Sequence, residues 1–417
     1  METGVEKRAG EVQVPPARSC SGPLHGLRVL DLAGRPGALC GRLLADAGAD
    51  VIKIEPPLGD PLRREAPFKD DVPGDERSLG FLHWNANKRG VTLNLERPAG
   101  RSLLHQLVKS ADAVIETLPQ EERGRLGLEY QELQRQNPRL VHVSISSFGE
   151  SGPYRAYAGN DFVCFALGGL MSLSGEPNKA PLVAPGELAY ALASSYAAFG
   201  ASVALYNSMT CSLGQHVEVS VHEASAFIAG YAVPIFTATG EKPFRQSWQK
   251  RLFDLYDVYP TKDGFARIFV VPKNHWHALL EWLGRPPELT ADIFDDQKMR
   301  WQNSEVIDPH IERLTRGYTK EELFHEAQRR HIAASPVNTP REFAMSVQAK
   351  ARDIFSTVVH PSAGPVVQMR PIHRYGAFPA PSLRPAPTLG QHNAEVYESL
   401  ARLTERDLRR LKVDGVI

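Results

Sequence analysis

The stretch LRVLDLAGRPGALCGRLLADAGADVIKIE, residues 27–55, decides the fold. It opens on a short apolar run, LRVLDL (27–32), and turns through a glycine-containing corner. It continues as GALCGRLLADAGA (37–49), whose apolar residues have helical spacing, and ends on a second apolar run, VIKIE (51–55). Two strands joined by a helix of about a dozen residues predict a parallel pair with a right-handed crossover.

The pattern repeats downstream. VTLNLE (91–96), AVIETL (113–118) and LVHVSISSFG (140–149) read as strands, and RSLLHQLVKSA (101–111) and LEYQELQRQNP (128–138) as the helices between them. The expected fold is α/β, with a Rossmann-like parallel sheet. The dinucleotide fingerprint GxGxxG is absent after the first strand, where GRPGALCG (34–41) stands instead. That turn suits a phosphate at a helix start but is poor evidence for NAD.

Further along, ELAYALASSYAAFGASVALYNSM (187–209) reads as a long buried helix with small residues for close packing. QHVEVSVHEASAFIAG (215–230) is a strand running into a helix. FARIFVV (265–271) is a strand, and HWHALLEWLG (275–284) and EELFHEAQRRHI (321–332) are helices. These features predict a loose tail at 1–22, a large domain at 23–230, a smaller α+β domain at 231–335, and a return to the large domain at 336–417. Closing helices are expected at 391–400 and near 404–412.

With 417 residues the chain exceeds one ordinary core. Its 48 basic and 48 acidic residues cancel, which gives no support for nucleic-acid binding. The four cysteines, Cys20, Cys40, Cys164 and Cys211, form no CxxC pair, so no zinc or redox motif is suggested. No run looks long and apolar enough to span a bilayer, and the N-terminus lacks the apolar core of a signal peptide. Cytoplasm, with no membrane partner, is the simplest expectation.

Several stretches carry candidate chemistry. GNDFVCFALGG (159–169) holds one charge, Asp161, at the edge of an apolar run. Burying an unpartnered carboxylate is costly, so Asp161 is either a helix cap or a functional group. HWNANKRGVTLNL (83–95) gathers Asn85, Asn87, Lys88 and Arg89 before a strand. Such a cluster suits a phosphate or carboxylate, and equally suits a solvated turn. GDPLRR (59–64) adds Arg63 and Arg64. There is no GxSxG, P-loop or HExxH, and His275 and His277 would point apart on a helix, so no metal site is expected. Cys164 reads as a core thiol.

LHGLRVLDL (24–32), LLADAGADVIKIEPPLGDPLRR (43–64), NANKRGVTLNL (85–95), RLGLEYQELQRQNPRLVHVSISSFGESGPY (125–154), GNDF (159–162), GGLMSLSGEP (168–177), GQHVEVS (214–220) and LGQHN (389–393) together resemble the class III, formyl-CoA/carnitine-type, CoA transferases. The resemblance implies that Asp161 is a nucleophile. It would attack an acyl-CoA thioester, pass through a mixed anhydride to an aspartyl-CoA thioester, and hand CoA to a free carboxylic acid. It also implies no permanent cofactor, with the CoA thioester as substrate, and an interlocked homodimer. Lys88 matches a family lysine in the NxNKR motif near CoA, alongside Asn85 and Arg89. Lys109 matches a basic position toward the nucleotide end, and Arg35 lies in the loop that lines the pantetheine path. A poorly solvated carboxylate needs backbone donors beside it, and Gly168 and Gly169 would let backbone approach the developing oxyanion.

Three departures accompany the resemblance. Racemases of the same fold carry histidine before the aspartate and a second aspartate in the next glycine-containing loop; Asn160 and Glu187 stand there, which favours transfer over racemisation. The family's ENFxPG stretch is replaced by ETLPQEERG (116–124), so the resemblance implies that a usual cation near the CoA phosphates is either missing or shifted to Arg123. EKPFRQSWQKRLFDLYDVYP (241–260) lacks the glycine-rich cover loop, and its Arg245, Lys250 and Arg251 would suit a dicarboxylate. An intramolecular CoA shift fits the same chemistry.

Overall fold

The computed structural model describes residues 22–175, 178–240, 255–379 and 382–417. The expectations placed on the tail, Cys20, Arg245, Lys250 and Arg251 fall outside those residues. The chain forms two compact units. The first comprises the chain to Ala156, Tyr190–Ser220 and Ser356–Ile417; the second comprises Tyr157–Ala189 and Val221–Phe355. Both the 157–189 segment and the helix Val221–Ile228 thus lie in the second unit, where the sequence pattern put them in the large domain. The apolar pattern shows where elements are, but not which neighbours they pack against.

The first unit is built on a six-stranded parallel sheet in the order β3-β2-β1-β4-β5-β6. Its strands are β1 (Arg28–Asp31), β2 (Asp50–Glu55), β3 (Arg89–Thr92), β4 (Ala113–Glu116), β5 (Val141–Ser146) and β6 (Gln215–Ser220). Helix α1 (Ala38–Asp46) joins β1 to β2, and α2 (Leu79–Trp84) precedes β3. Helix α3 (Pro98–Val108) joins β3 to β4, starting on a proline that needs no amide partner there. Helices α4 (Gln120–Leu126) and α5 (Tyr130–Gln136) join β4 to β5. Leu30, Ile52, Val91, Leu104, Val114 and Leu133 make one core beneath the sheet. Strand β3 is set earlier than the pattern predicted, because after Thr92 the backbone turns to the C-terminus: the Asn94 N–H donates to the Val416 carbonyl at 2.7 Å.

The C-terminal return also holds the β3 edge. Arg384 N–H donates to Asn87 Oδ1 at 2.7 Å, Asn393 Oδ1 accepts the Thr92 N–H at 2.9 Å, and the Tyr397 hydroxyl donates to the Thr92 carbonyl at 2.6 Å. The return carries a two-stranded sheet, β10 (Phe355–His360) with β11 (Gly364–Met369), and helices Asn393–Ala401 and Glu405–Val413.

Helix α7 (Leu188–Cys211) overturns one sequence reading. It has the length and apolar composition to cross a membrane, so a candidate run does exist. Its small-residue face, Ala193, Ala197, Ala201 and Leu205, is buried, and Ser194 and Ser208 donate to the Pro36 and Arg139 carbonyls at 2.8 and 2.7 Å. It is therefore an element of the folded unit. It is not buried all round: Phe199, Val203, Tyr206 and Met209 are exposed.

The second unit holds an antiparallel sheet of β7 (Leu255–Thr261), β8 (Gly264–Val270) and β9 (Ala333–Pro336). Trp276, Leu279, Ile307, Ile311, Leu323 and Ala327 pack against it. Helix Lys320–Arg329 starts on a capping box in which Thr319 and Glu322 satisfy each other's backbone amides. The unit also contains α6 (Asp161–Leu167), α8 (Val221–Ile228) and α9 (Ala232–Thr239).

Candidate active site

In an open α/β sheet, ligands bind outside the carboxyl ends of the strands where the strand order reverses. Here that point lies between β1 and β4. The two loops that leave it are tied together, since the Gly34 N–H donates to Thr117 Oγ1 at 2.8 Å. Gly37 has no room for a side chain: a Cβ would lie 2.9 Å from Ala33, Ile145 and Thr117 atoms. Arg35 sits in this loop, part-exposed and paired with Glu65. Lys109 is exposed at the end of α3.

The other cations expected to meet CoA face inward. Lys88 Nζ donates to Asp31 Oδ2 at 2.7 Å, to the Ala38 carbonyl at 2.8 Å and to Asn85 Oδ1 at 2.9 Å. These contacts occupy all three of its N–H donors, and neither the Lys88 nor the Asp31 side chain is exposed. Burial pulls the Lys88 pKa down, with Asp31 opposing it. The close approach of α1 depends on Gly41, whose added Cβ would fall 2.2 Å from Asp31 Oδ2. Burial and Asp31 also push the neighbouring Cys40 thiol far up, so it is inert.

Arg89 forks onto Asp50 at 2.8 and 2.6 Å and reaches Glu395 at 2.7 Å. Arg123 donates through one nitrogen to both Glu116, at 3.2 Å, and Glu150. Asn85, Lys88, Arg89 and Arg123 are thus engaged inside the first unit, while Arg35 and Lys109 reach its surface.

Two buried polar groups differ from the sequence reading. Arg63, expected with Arg64 in a candidate anion cluster, has no exposed side-chain surface and is bidentate to Glu55 at 2.6 and 2.8 Å and paired with Glu76 at 2.9 Å. The available signal was a lysine and a glutamate inside the apolar strand VIKIE. The second surrounds β5. Ser144 Oγ donates to Glu150 at 2.6 Å and lies 2.7 Å from His216 Nε2, and the rings of Tyr130, His142 and His216 stack. Burial raises Glu116 to about 7 and lowers His142 to about 3.

In the second unit the helix cap falls to Asn160, not Asp161. Asn160 has extended backbone and its Oδ1 accepts the Val163 N–H at 2.9 Å. Asp161 is the first helical residue and is half-buried. Behind it Cys164 and Phe165 are buried, while Phe162 and Leu167 are exposed. Gly168 closes α6 and allows it onto α8: a Cβ there would lie 2.9 Å from Ser225 Cβ and 3.0 Å from the Ala226 nitrogen. Gly169 follows with φ +86°. Both glycines thus stand at the opposite end of α6 from Asp161, where packing and chain reversal account for them. Glu187 has φ +56°, directly after Gly186 at +85° and directly before α7. A non-glycine residue held there is strained. His277 bonds Asp295 at 2.6 Å, and among the described residues no group of three metal-type side chains is assembled.

Known proteins are similar to this chain over most of its length. A succinyl-CoA:(R)-benzylsuccinate CoA-transferase subunit from Thauera aromatica is 33% identical over 380 residues, covering 88% of this chain and 92% of its own. Succinyl-CoA–D-citramalate CoA-transferase from Chloroflexus aurantiacus is 32% identical, covering 95% and 98%. Succinate–glutarate CoA-transferase from Agrobacterium fabrum is 30% identical, covering 91% and 96%. The crystal structure of a CAIB/BAIF family protein from Brucella suis superposes with a TM-score of 0.80 at 28% identity, covering 91% of this chain and 99% of that one. Residues 24–393 match the sequence model of CoA-transferase family III, and with that span the chain belongs to this family of enzymes.

Proposed function

We propose that the protein moves CoA from succinyl-CoA, or a close dicarboxylic acyl-CoA, to a second carboxylic acid through a carboxylate nucleophile, Asp161. The names of the relatives support the donor class. The observation that carries the nucleophile is the division of labour at the start of α6: Asn160 already supplies the cap, so Asp161 is not required for it.

The steps balance without a cofactor. An Asp161 carboxylate oxygen attacks the thioester carbonyl, the C–S bond breaks, and a mixed anhydride and CoA thiolate result. The thiolate attacks the aspartyl carbon and releases the donor acid, leaving an aspartyl-CoA thioester. The acceptor carboxylate attacks that thioester, the thiolate leaves again, and it then takes the acceptor acyl group from the second anhydride. The carboxylate is regenerated. CoA would lie across the β1/β4 crevice with Arg35 as its exposed cation; Lys109 adjoins Ser110, which accepts from Arg28 at the amino end of β1, and so stands at the other edge of the sheet.

A second reading gives the nucleophile's role to Glu187, on the strength of its left-handed backbone. Strain of this kind costs about 1–3 kcal/mol and concentrates at functional sites. Racemisation has less support, because Asn160 carries an amide that is engaged as a cap. The exposed stripe on α7 supports a second copy as partner, in line with the interlocked homodimer.

The test is intact-protein mass after mixing with succinyl-CoA and no acceptor, followed by peptide mapping. An adduct on the Asp161 peptide supports the first reading, and one on the Glu187 peptide the second. No adduct, with deuterium uptake at the α-carbon of a 2-methylacyl-CoA in heavy water, would replace both with racemisation.

A further inference from the structure

The chain leaves the first unit after Ala156 and rejoins it at Tyr190. Both candidate carboxylates lie in the segment between, and each exit is fastened inside the first unit. On the return side, Ser194 of α7 bonds the Pro36 carbonyl at 2.8 Å. On the outgoing side the fastening is stronger. The loop after β5, residues 147–156, is held by Glu150, whose Oε1 accepts from Ser144 at 2.6 Å and from Arg123. The Glu150 N–H donates to the Glu218 carboxylate, and the Gly149 N–H donates to Ser146 Oγ at 2.9 Å. Gly149, at φ +85°, brings the loop backbone so near Glu218 that a Cβ would lie 2.9 Å from its oxygen. Arg123 joins this loop to the end of β4 through Glu116. From Ser151 to Ala156 the loop side chains are exposed, and the bonds of Gly149 and Glu150 fasten the loop to the sheet at its buried start.

We infer that Arg123 and Glu150 are positioning residues for the transfer reaction: together they latch the loop through which the chain enters the carboxylate-bearing segment 157–189. This rests on the reading that a carboxylate of that segment is the nucleophile, whichever of the two it is. It replaces the expectation that Arg123 binds CoA. The chemistry is suited to the role. Burial alone would raise the Glu150 carboxyl, yet hydrogen bonds from His216, Arg123 and Ser144 hold it far below its ordinary value, so it stays ionised and latched at any working pH. Small misplacements of a nucleophile are expensive in rate, about a hundredfold for an ångström.

The experiment compares full-length wild type with Glu150→Gln, Arg123→Lys and the double variant, using succinyl-CoA and a dicarboxylate acceptor that wild type accepts. The variants should lose about a hundredfold in kcat while KM for succinyl-CoA stays within about threefold. Amide hydrogens of 147–156 should exchange about tenfold faster than in wild type, and the double variant should be no worse than the poorer single one. Arg123→Lys keeps the charge on a shorter side chain and withdraws the single nitrogen that bridges Glu116 and Glu150, so it serves if Glu150→Gln fails to fold. Unchanged loop exchange or unchanged kcat overturns the latch. A raised KM at unchanged kcat also overturns it and returns Arg123 to CoA. Adduct mapping on wild type separates the two proposals: an adduct outside 157–189 sinks the nucleophile reading, whereas an adduct inside it with variants at full kcat sinks only the latch.

Discussion

Lys88 and Asp31 are joined at 2.7 Å across 57 residues of sequence, and neither side chain is exposed. Removing one partner of such a pair leaves the other buried and charged. Lys88→Met should therefore cost about 3–5 kcal/mol of stability, read from urea unfolding. Were Lys88 a CoA ligand instead, the variant would keep its stability and lose acyl-CoA affinity. Gly41→Ala tests the same clasp from the other side, and should destabilise by about 1–3 kcal/mol because its methyl overlaps the Asp31 carboxylate.

Glu116 sets a pH dependence. Its carboxyl is raised from 4.5 to about 7, chiefly by burial, against the pull of Arg123. The folded state therefore binds its proton more tightly than the unfolded state does. The resulting stabilisation is fully present below about pH 4.5 and is lost as pH rises through about 7, by about 3 kcal/mol at most. Glu116→Gln should flatten that part of the stability profile. A wild-type profile that rises between pH 5 and 8, with the variant parallel to it, would contradict the assignment.

Asn160 offers a clean separation of cap from chemistry. Asn160→Ser retains a side-chain acceptor for the Val163 amide and should keep both stability and turnover. Asn160→Ala should lose about 1 kcal/mol of stability. Asn160→His should bring no racemase activity if the cap is the residue's only role; α-proton exchange in that variant would revive the racemase reading.

Asp161→Asn should abolish turnover and the covalent adduct while acyl-CoA affinity stays within a few-fold. Glu187→Gln should be milder if Asp161 is the nucleophile, and equally severe if the strained residue is. Peptide-mapped adducts in each background decide between them.

The exposed α7 stripe predicts a second copy. Phe199→Lys with Tyr206→Lys should reduce the mass measured by light scattering toward that of one chain. A wild type that is already monomeric would end this reading.

Much of the first unit is legible because parallel strands buried on both faces are short, largely apolar runs, as β1, β2 and β4 are. What the sequence pattern leaves open has a common cause, contacts with distant residues. Leu93 and Leu95 extend the apolar pattern of β3, but Asn94 is claimed by residues more than 300 positions away, so the strand ends early. The aromatic residues of α7 look like core from spacing, and only the fold shows which of its faces the first unit covers. By spacing, Lys88 and Arg89 before a strand suit an anion or a solvated turn alike, and only the resemblance points to CoA. Asp31 and Asp50, which take them up, lie far back in the sequence. Asp161 stands out in the sequence as a lone charge that could be a cap, and the structure gives that cap to Asn160 beside it.

The hold of the C-terminal return on β3 has a consequence for biosynthesis. During translation the sheet has an unfinished margin: the groups bonded by Arg384, Asn393, Tyr397 and Val416 have no partners until those residues, about 300 positions after β3, have been made. For that interval the nascent chain presents an open strand edge of the kind that recruits other strands, and which chaperones shield. Premature stops that spare every candidate site residue would then produce not a smaller enzyme but a chain prone to aggregation.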